Sequence, residues 1–146
     1  MYAKWAEAYK AQTGTTMNYQ AIGSGGGVKQ ILAKTVDFGA SDDPVPAADL
    51  EKNGLAQFPA IIGGVVPVAN IPGVAPGQLK LNNDVLSDIF RAKITKWNDS
   101  AIASVNPGVK LPNTAITVVY RSDSSGTTAV FTDFLAQVSP GFKGVV

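Results

Sequence analysis

The sequence predicts an α/β protein, and three features predict it. Apolar segments with strand-like alternation take turns with segments whose apolar residues recur at helical spacing. One arrangement, an apolar strand followed by a Gly/Ser loop and a helix start, occurs in each half, as "YQAI-GSGG-GVKQIL" and as "TVVY-RSDSSG-TTAVF". Finally, 45% of the 146 residues are hydrophobic. That is enough core for a compact domain or for two small lobes.

The chain opens on "MYAKWAEAYKAQTG", where Tyr2, Trp5, Ala6 and Tyr9 lie at helical spacing and Gly14 is a stop signal. This aromatic face reads as core. No capping residue precedes it, so the helix is expected to begin inside a longer chain. The closing "QVSPGFKGVV" ends on an apolar pair just after a turn and also reads as a cut. "TTMNYQAI" (15–22) alternates as a strand, and after the glycine run Val28, Ile31 and Leu32 give the next helix an apolar face. "TVDFGASDDPV" reads as a short strand running into a turn at Asp42, Asp43 and Pro44, and "PAADLEKNG" as a short helix ended by Gly54. A long apolar segment, "AIIGGVVPVANI" (60–71), leads into "IPGVAPG" (71–77), a Pro/Gly cluster of linker character. A helix is predicted around "NDVLSDIFRAKI" on Val85, Leu86, Ile89 and Phe90, with another short helical stretch after "TKWND". The strand "AITVVY" (115–120), the loop "RSDSSG" and a helix with Val130, Phe131, Phe134, Leu135 and Val138 on one face complete the order.

Composition excludes several function classes. The formal net charge is +1 with scattered Lys and Arg, which argues against a nucleic-acid reader or a polybasic membrane binder. The segment 60–71 falls short of the roughly 18 residues a spanning helix needs and is broken by Gly and Pro. The chain has no cysteine and no histidine. Disulfide frameworks, Cys/His zinc sites, a Ser-His-Asp triad and a Cys nucleophile are thereby removed. G-x-G-x-x-G fails because position 28 is Val28, and no G-x-x-x-x-G-K-[ST] occurs. No cofactor and no metal are implied.

What remains is anion chemistry. A helix N-terminus carries unpaired backbone N–H groups and a partial positive charge, and Ser or Thr hydroxyls add neutral donors. Ligands of open α/β sheets lie beyond the carboxyl ends of the strands, where both Gly/Ser loops fall. Two such ends facing one another would form a cleft for one anion. Each piece also has a plainer reading: "GSGGG" as a strand-to-helix turn, "SDSSGTT" as an N-cap, Arg121 and Asp123 as a surface ion pair, and Asp42 as the cap of the turn before Pro44.

Taken together, "IGSGGGVKQILAKTVDFGASDDPV", "FPAIIGGVVPVANIPG", "ITKWNDSAIASVNPGVKLP" and "VVYRSDSSGTTAVFTDFLAQV" resemble the periplasmic phosphate-binding proteins that serve ABC-type phosphate importers. The resemblance is collinear over essentially the whole chain and covers about the first half of a family member. It implies a periplasmic-binding-protein-like fold of two α/β lobes with a cleft, here incomplete. A partial first lobe would span 1–68, a crossing segment 69–77, and a partial second lobe 78–146.

By resemblance, Ser24 donates to a phosphate oxygen, with Gly23 and Gly25 letting the backbone approach. Asp42 accepts from the anion's own P–OH. Arg121, held by Asp123, contacts the anion, and Ser125, Gly126 and Thr127 supply helix-start donors. A Thr-Phe pair in the family's first loop has no counterpart here. The chemistry is selective, because phosphate near neutral pH keeps a proton to donate and sulfate has none. A buried carboxylate accepts from the first and repels the second.

The resemblance implies inorganic phosphate as ligand, an ABC permease as partner and a periplasmic or cell-envelope location. Nucleic acid is not among the expected partners. Self-association through exposed edges is expected of an incomplete fold. Two alternatives stand beside phosphate binding: a fragment of the fold without independent binding, and a phosphoryl-handling enzyme using Asp42. The enzyme reading lacks a His, a second carboxylate spaced for a metal and a Lys in the glycine loop.

Overall fold

The computed structural model describes residues 1–144. Seven helices are present among them: α1 (Tyr2–Thr13), α2 (Gly23–Leu32), α3 (Ala47–Asn53), α4 (Asn83–Phe90), α5 (Ser100–Ser104), α6 (Gly126–Val138) and α7 (Pro140–Lys143). None of the described helices is long and apolar enough to cross a membrane.

The stop and start signals behave as the chemistry requires. Gly14 and Gly54 end α1 and α3 in the left-handed conformation. Asn82 caps α4 by accepting from the Val85 N–H, and Asp99 caps α5 by accepting from the Ala101 N–H. Met1 gives α1 no side-chain cap. The expected linker, 71–77, is a pair of tight turns, closed by Val74 N–H to Ile71 O and Gln78 N–H to Ala75 O.

The core lies in the second half. Val85, Ile89, Ile94 and Ile102 form one buried cluster, flanked by Leu79, Trp97 and Ile116. Leu86, Leu135 and Phe142 form another, joining α4, α6 and α7. Burying each such aliphatic side chain contributes about 1.5–3 kcal/mol. Polar groups brought inside are paired: Asn106 accepts from the Lys80 N–H at 2.7 Å and donates to Lys80 O and Ile102 O, both at 2.8 Å. Ser139 donates to Ser87 across the α4–α6–α7 junction.

Four expectations are corrected. The strands expected at 15–22, in "TVDFG" and at 115–120 do not form; among the described residues the only β pairing is one antiparallel bridge between Lys96 and Ala115. Alternation marks a segment fit for a sheet, but a strand exists only when a neighbour completes its ladder. These segments run without such neighbours, and apolar side chains on them stand exposed, among them Val119 and Tyr120. The glycine run is not a loop before a helix but the first turn of α2 itself. Its glycines are placed there by close approach to other chain segments, described below. The face of Tyr2, Trp5 and Tyr9 is not core: Trp5 and Tyr9 are exposed, and Tyr2 packs on Trp5 and Tyr19. Lastly, the turn in "SPGFK" is the short helix α7, whose Phe142 is buried on Leu135. The closing pair, 145–146, lies outside the described residues.

Two apolar stripes are only partly inward. On α6 Leu135 is fully buried while Val130 and Phe134 stay exposed; on α4 Phe90 is at the surface but meets Phe131 edge-on at 4.7 Å.

Candidate functional site

Two helix N-termini meet. The first turn of α2 and the first turn of α6 approach each other, although about a hundred residues of chain separate them. The contact is made possible by missing side chains. A Cβ on Gly25 would overlap the Ser124 side chain, and a Cβ on Gly126 would overlap the side chain of Ser24 and come within 3.0 Å of Asp42 Cβ. Each helix start thus receives a serine from the other side where it has no Cβ of its own. The Gly25 N–H donates to Ser124 O at 3.2 Å, fixing the approach.

Asp42 is seated between them. Its backbone N–H donates to Ser24 Oγ at 3.1 Å, and its Oδ2 accepts from Thr127 Oγ1 at 3.0 Å. The plainer reading of Asp42 as the cap of its turn is overturned, because Ser41 does that work. Ser41 Oγ accepts from the Asp43 N–H and donates to Asp43 O. The Asp42 carboxylate is thereby left to face α6.

Ser125 is the N-cap of α6, its Oγ accepting from the Thr128 N–H at 3.3 Å. The capping bond uses an oxygen lone pair, so the hydroxyl proton stays available to another acceptor.

Arg121 and Asp123 form a bidentate pair, Nε to Oδ1 at 2.6 Å and Nη2 to Oδ2 at 2.5 Å. The planar fork of the guanidinium matches the carboxylate, which holds the arginine in one orientation. The hydrogen bond to Asp123, then its charge, raises the Arg121 pKa further above its ordinary value. The hydrogen bond from Arg121 is the largest influence holding the Asp123 carboxyl below its ordinary value. Both side chains are about half exposed, so the pair contributes little to stability and its use is geometric. It sits beside Gly23, whose added Cβ would lie 3.3 Å from Arg121 Nη2 and 3.3 Å from Asp123 Oδ2.

All nine residues singled out in the sequence, from Gly23 to Thr127, are therefore gathered at one junction. The cluster carries one cation against two carboxylates, so an anion placed there would lean on helix ends, backbone N–H groups and hydroxyls rather than on net charge. Three participants escaped the sequence reading. Ser124 looked like one serine of a loop, and the doubled serine in "SDSSG" was its only signal: one serine caps α6 while the other reaches α2. Gly39 and Ala40 bring the backbone of their segment against Gly27, which only the glycine spacing hinted at.

Comparison with known proteins gives the family. Residues 1–145 match the PBP superfamily domain. The chain is 60% identical over 146 residues to the phosphate-binding protein PstS of Pasteurella multocida, covering 100% of this chain and 42% of that protein. It is 54% identical over 146 residues to the phosphate-binding protein PstS of Haemophilus influenzae, covering 100% of this chain and 44% of that protein. A more distant relative, the phosphate-binding protein PstS of Methanocaldococcus jannaschii, is 42% identical over 93% of this chain and 37% of its own length. The chain spans about two-fifths of the length of these curated relatives. On the family match over nearly every residue, the chain belongs to the PBP superfamily domain family.

Proposed function

We propose that this chain is part of the solute-binding component of an ABC phosphate importer and carries much of its phosphate site. The observation that carries the reading is the meeting of the α2 and α6 N-termini around Asp42. The names of the relatives support phosphate as the anion. In this reading Ser24, Ser125, Thr127 and the N–H groups around Gly126 surround the anion, Arg121 contacts it while Asp123 steadies the guanidinium, and Asp42 accepts its proton. Gly23 and Gly25 keep the α2 backbone close. Binding and release is the whole chemistry, with no bond broken, and the protein works in the periplasm or cell envelope beside an ABC permease.

The finer architecture belongs to the same proposal. Residues 1–68 form part of a first α/β lobe, 69–77 a crossing segment and 78–146 part of a second lobe, with the anion in the cleft between them. The extended apolar segments become strands when they acquire neighbours. Ile62 is 98% exposed and Val68 90% exposed, apolar surface that a covering partner would bury. For this chain alone we propose self-association through those segments.

Titration calorimetry of phosphate into the 146-residue chain at low salt, with sulfate as the control, tests the reading. Micromolar or tighter phosphate binding without sulfate heat is the expected result. No heat from phosphate would refute independent binding and leave the fold without this activity.

A further inference from the structure

We propose that Asn53 is a site of spontaneous modification, deamidation by the backbone nitrogen of Gly54, and that the product undoes α3. Neither the chemistry nor the test depends on anion binding. Asn53–Gly54 is the single Asn-Gly step in the chain. The Gly54 nitrogen, once it has given its proton to hydroxide, attacks Asn53 Cγ. A C–N bond forms, ammonia leaves with a proton taken from water, and a five-membered succinimide remains. Water then opens one of its two carbonyls, giving aspartate or, with the chain rerouted through the side chain, isoaspartate. Lacking a Cβ, glycine crowds the attacking nitrogen less than any other residue. Every other asparagine precedes a residue with a side chain, and Asn106 precedes Pro107, whose nitrogen has no proton to lose.

Both reacting groups are engaged in the folded chain, but weakly held. The Gly54 N–H donates to Glu51 O at 3.1 Å, and the Asn53 amide donates to Asp49 O at 2.7 Å. These bonds close a helix of seven residues that has no side-chain N-cap and no buried residue. A helix so short is marginal without packing, so its last turn opens at small cost and frees the two groups to react. The product fits the place less well. A carboxylate cannot donate to Asp49 O as the amide does. It puts a negative charge at the C-terminal end of α3, against the helix dipole and four residues after Asp49, a like-charge pair on one face. Isoaspartate also adds a methylene to the main chain. That shifts the register of Gly54 N–H on Glu51 O and of Leu55 N–H on Leu50 O, the bonds that form the helix end.

The test follows Asn53 by intact mass and by fragment masses after acid digestion, with isoaspartate counted by enzymatic methylation. The folded 146-residue chain is compared with the same chain in urea, where no asparagine is constrained. Folded, Asn53 is expected to convert within about tenfold of its urea rate and ahead of every other asparagine. Slower conversion, or faster loss at another asparagine, overturns the proposal, since α3 then guards the site. Hydrogen exchange in Asn53→Asp and Asn53→Gln reads the consequence, because glutamine keeps an amide and is a good helix former. After correction for intrinsic rates, the Gly54 and Leu55 amides are expected to exchange at least about threefold faster in the aspartate variant than in the glutamine variant. Equal exchange in the two overturns the loss of α3 on modification.

Discussion

Replacing Gly126 by alanine sets two effects against each other at the first residue of α6. Helix propensity alone favours the change by at most about 1 kcal/mol. The new methyl, however, would lie 2.9 Å from Ser24 Cβ and 3.0 Å from Asp42 Cβ, and closer still to Ser24 Oγ. Carbon atoms rest at about 3.5–4.0 Å, so the two helix starts must part by roughly 0.5–1 Å. Rotating Ser24 relieves only its Oγ, and that rotation gives up the bond from the Asp42 N–H. Separation also stretches the Thr127–Asp42 bond beyond useful range. Overpacking of this kind costs about 1–3 kcal/mol. If the loss falls on the binding-competent arrangement, phosphate affinity drops about 5–150-fold. The assay is calorimetry beside thermal melts, with Gly64→Ala as control because nothing lies within 4 Å of a Cβ there. A Gly126→Ala chain that melts higher than wild type and binds phosphate equally well would refute the close meeting of α2 and α6.

Two further predictions concern charge and assembly. The Asp123 pKa is held down by the hydrogen bond from Arg121, so what the pair contributes is fully present above the ordinary carboxylate value and is lost only as pH falls through the lowered one. Phosphate affinities of wild type and Asp123→Asn should therefore differ by a constant factor from about pH 5 to 8 and converge only in acid; a gap that closes within the neutral range would count against the pairing. Light scattering at working concentration should find the chain as a dimer or larger, and a stable, well-folded monomer would disprove the proposed self-association.

Sequence and structure agree most where the signals are local. Gly14, Gly54 and Ser125 close or open their helices through bonds that their own side chains or backbone make within a few residues. The gathering of the candidate site residues was legible for a different reason: taken singly they also read as a turn, an N-cap, a turn cap and a surface ion pair, and only the resemblance to a known family marked them as one set. The strands were not legible, since 15–22 and 115–120 have the alternation of sheet residues and lack the neighbour that alternation presupposes. Tyr2, Trp5 and Tyr9 misled in the same manner, because helical spacing identifies a face and leaves open what covers it. Ser124 and Ser125 are chemically alike, and only the path of the backbone decides which caps and which reaches across.

The concentration of buried side chains between Leu79 and Phe142 divides the chain into unequal halves. Amides in α4 and α6 should be released to solvent exchange only by openings that approach complete unfolding, and those of α2 and the segment around Asp42 by much smaller ones, an ordering that hydrogen exchange would check. The less secure half is the one that brings Ser24 and Asp42 to the junction. An anion that engages both helix starts therefore lends its own binding free energy to the order of that half, by mass action, in proportion to the logarithm of its concentration. Residues far from the junction, along α2 and through Asp42, would register the anion as a slowing of their opening.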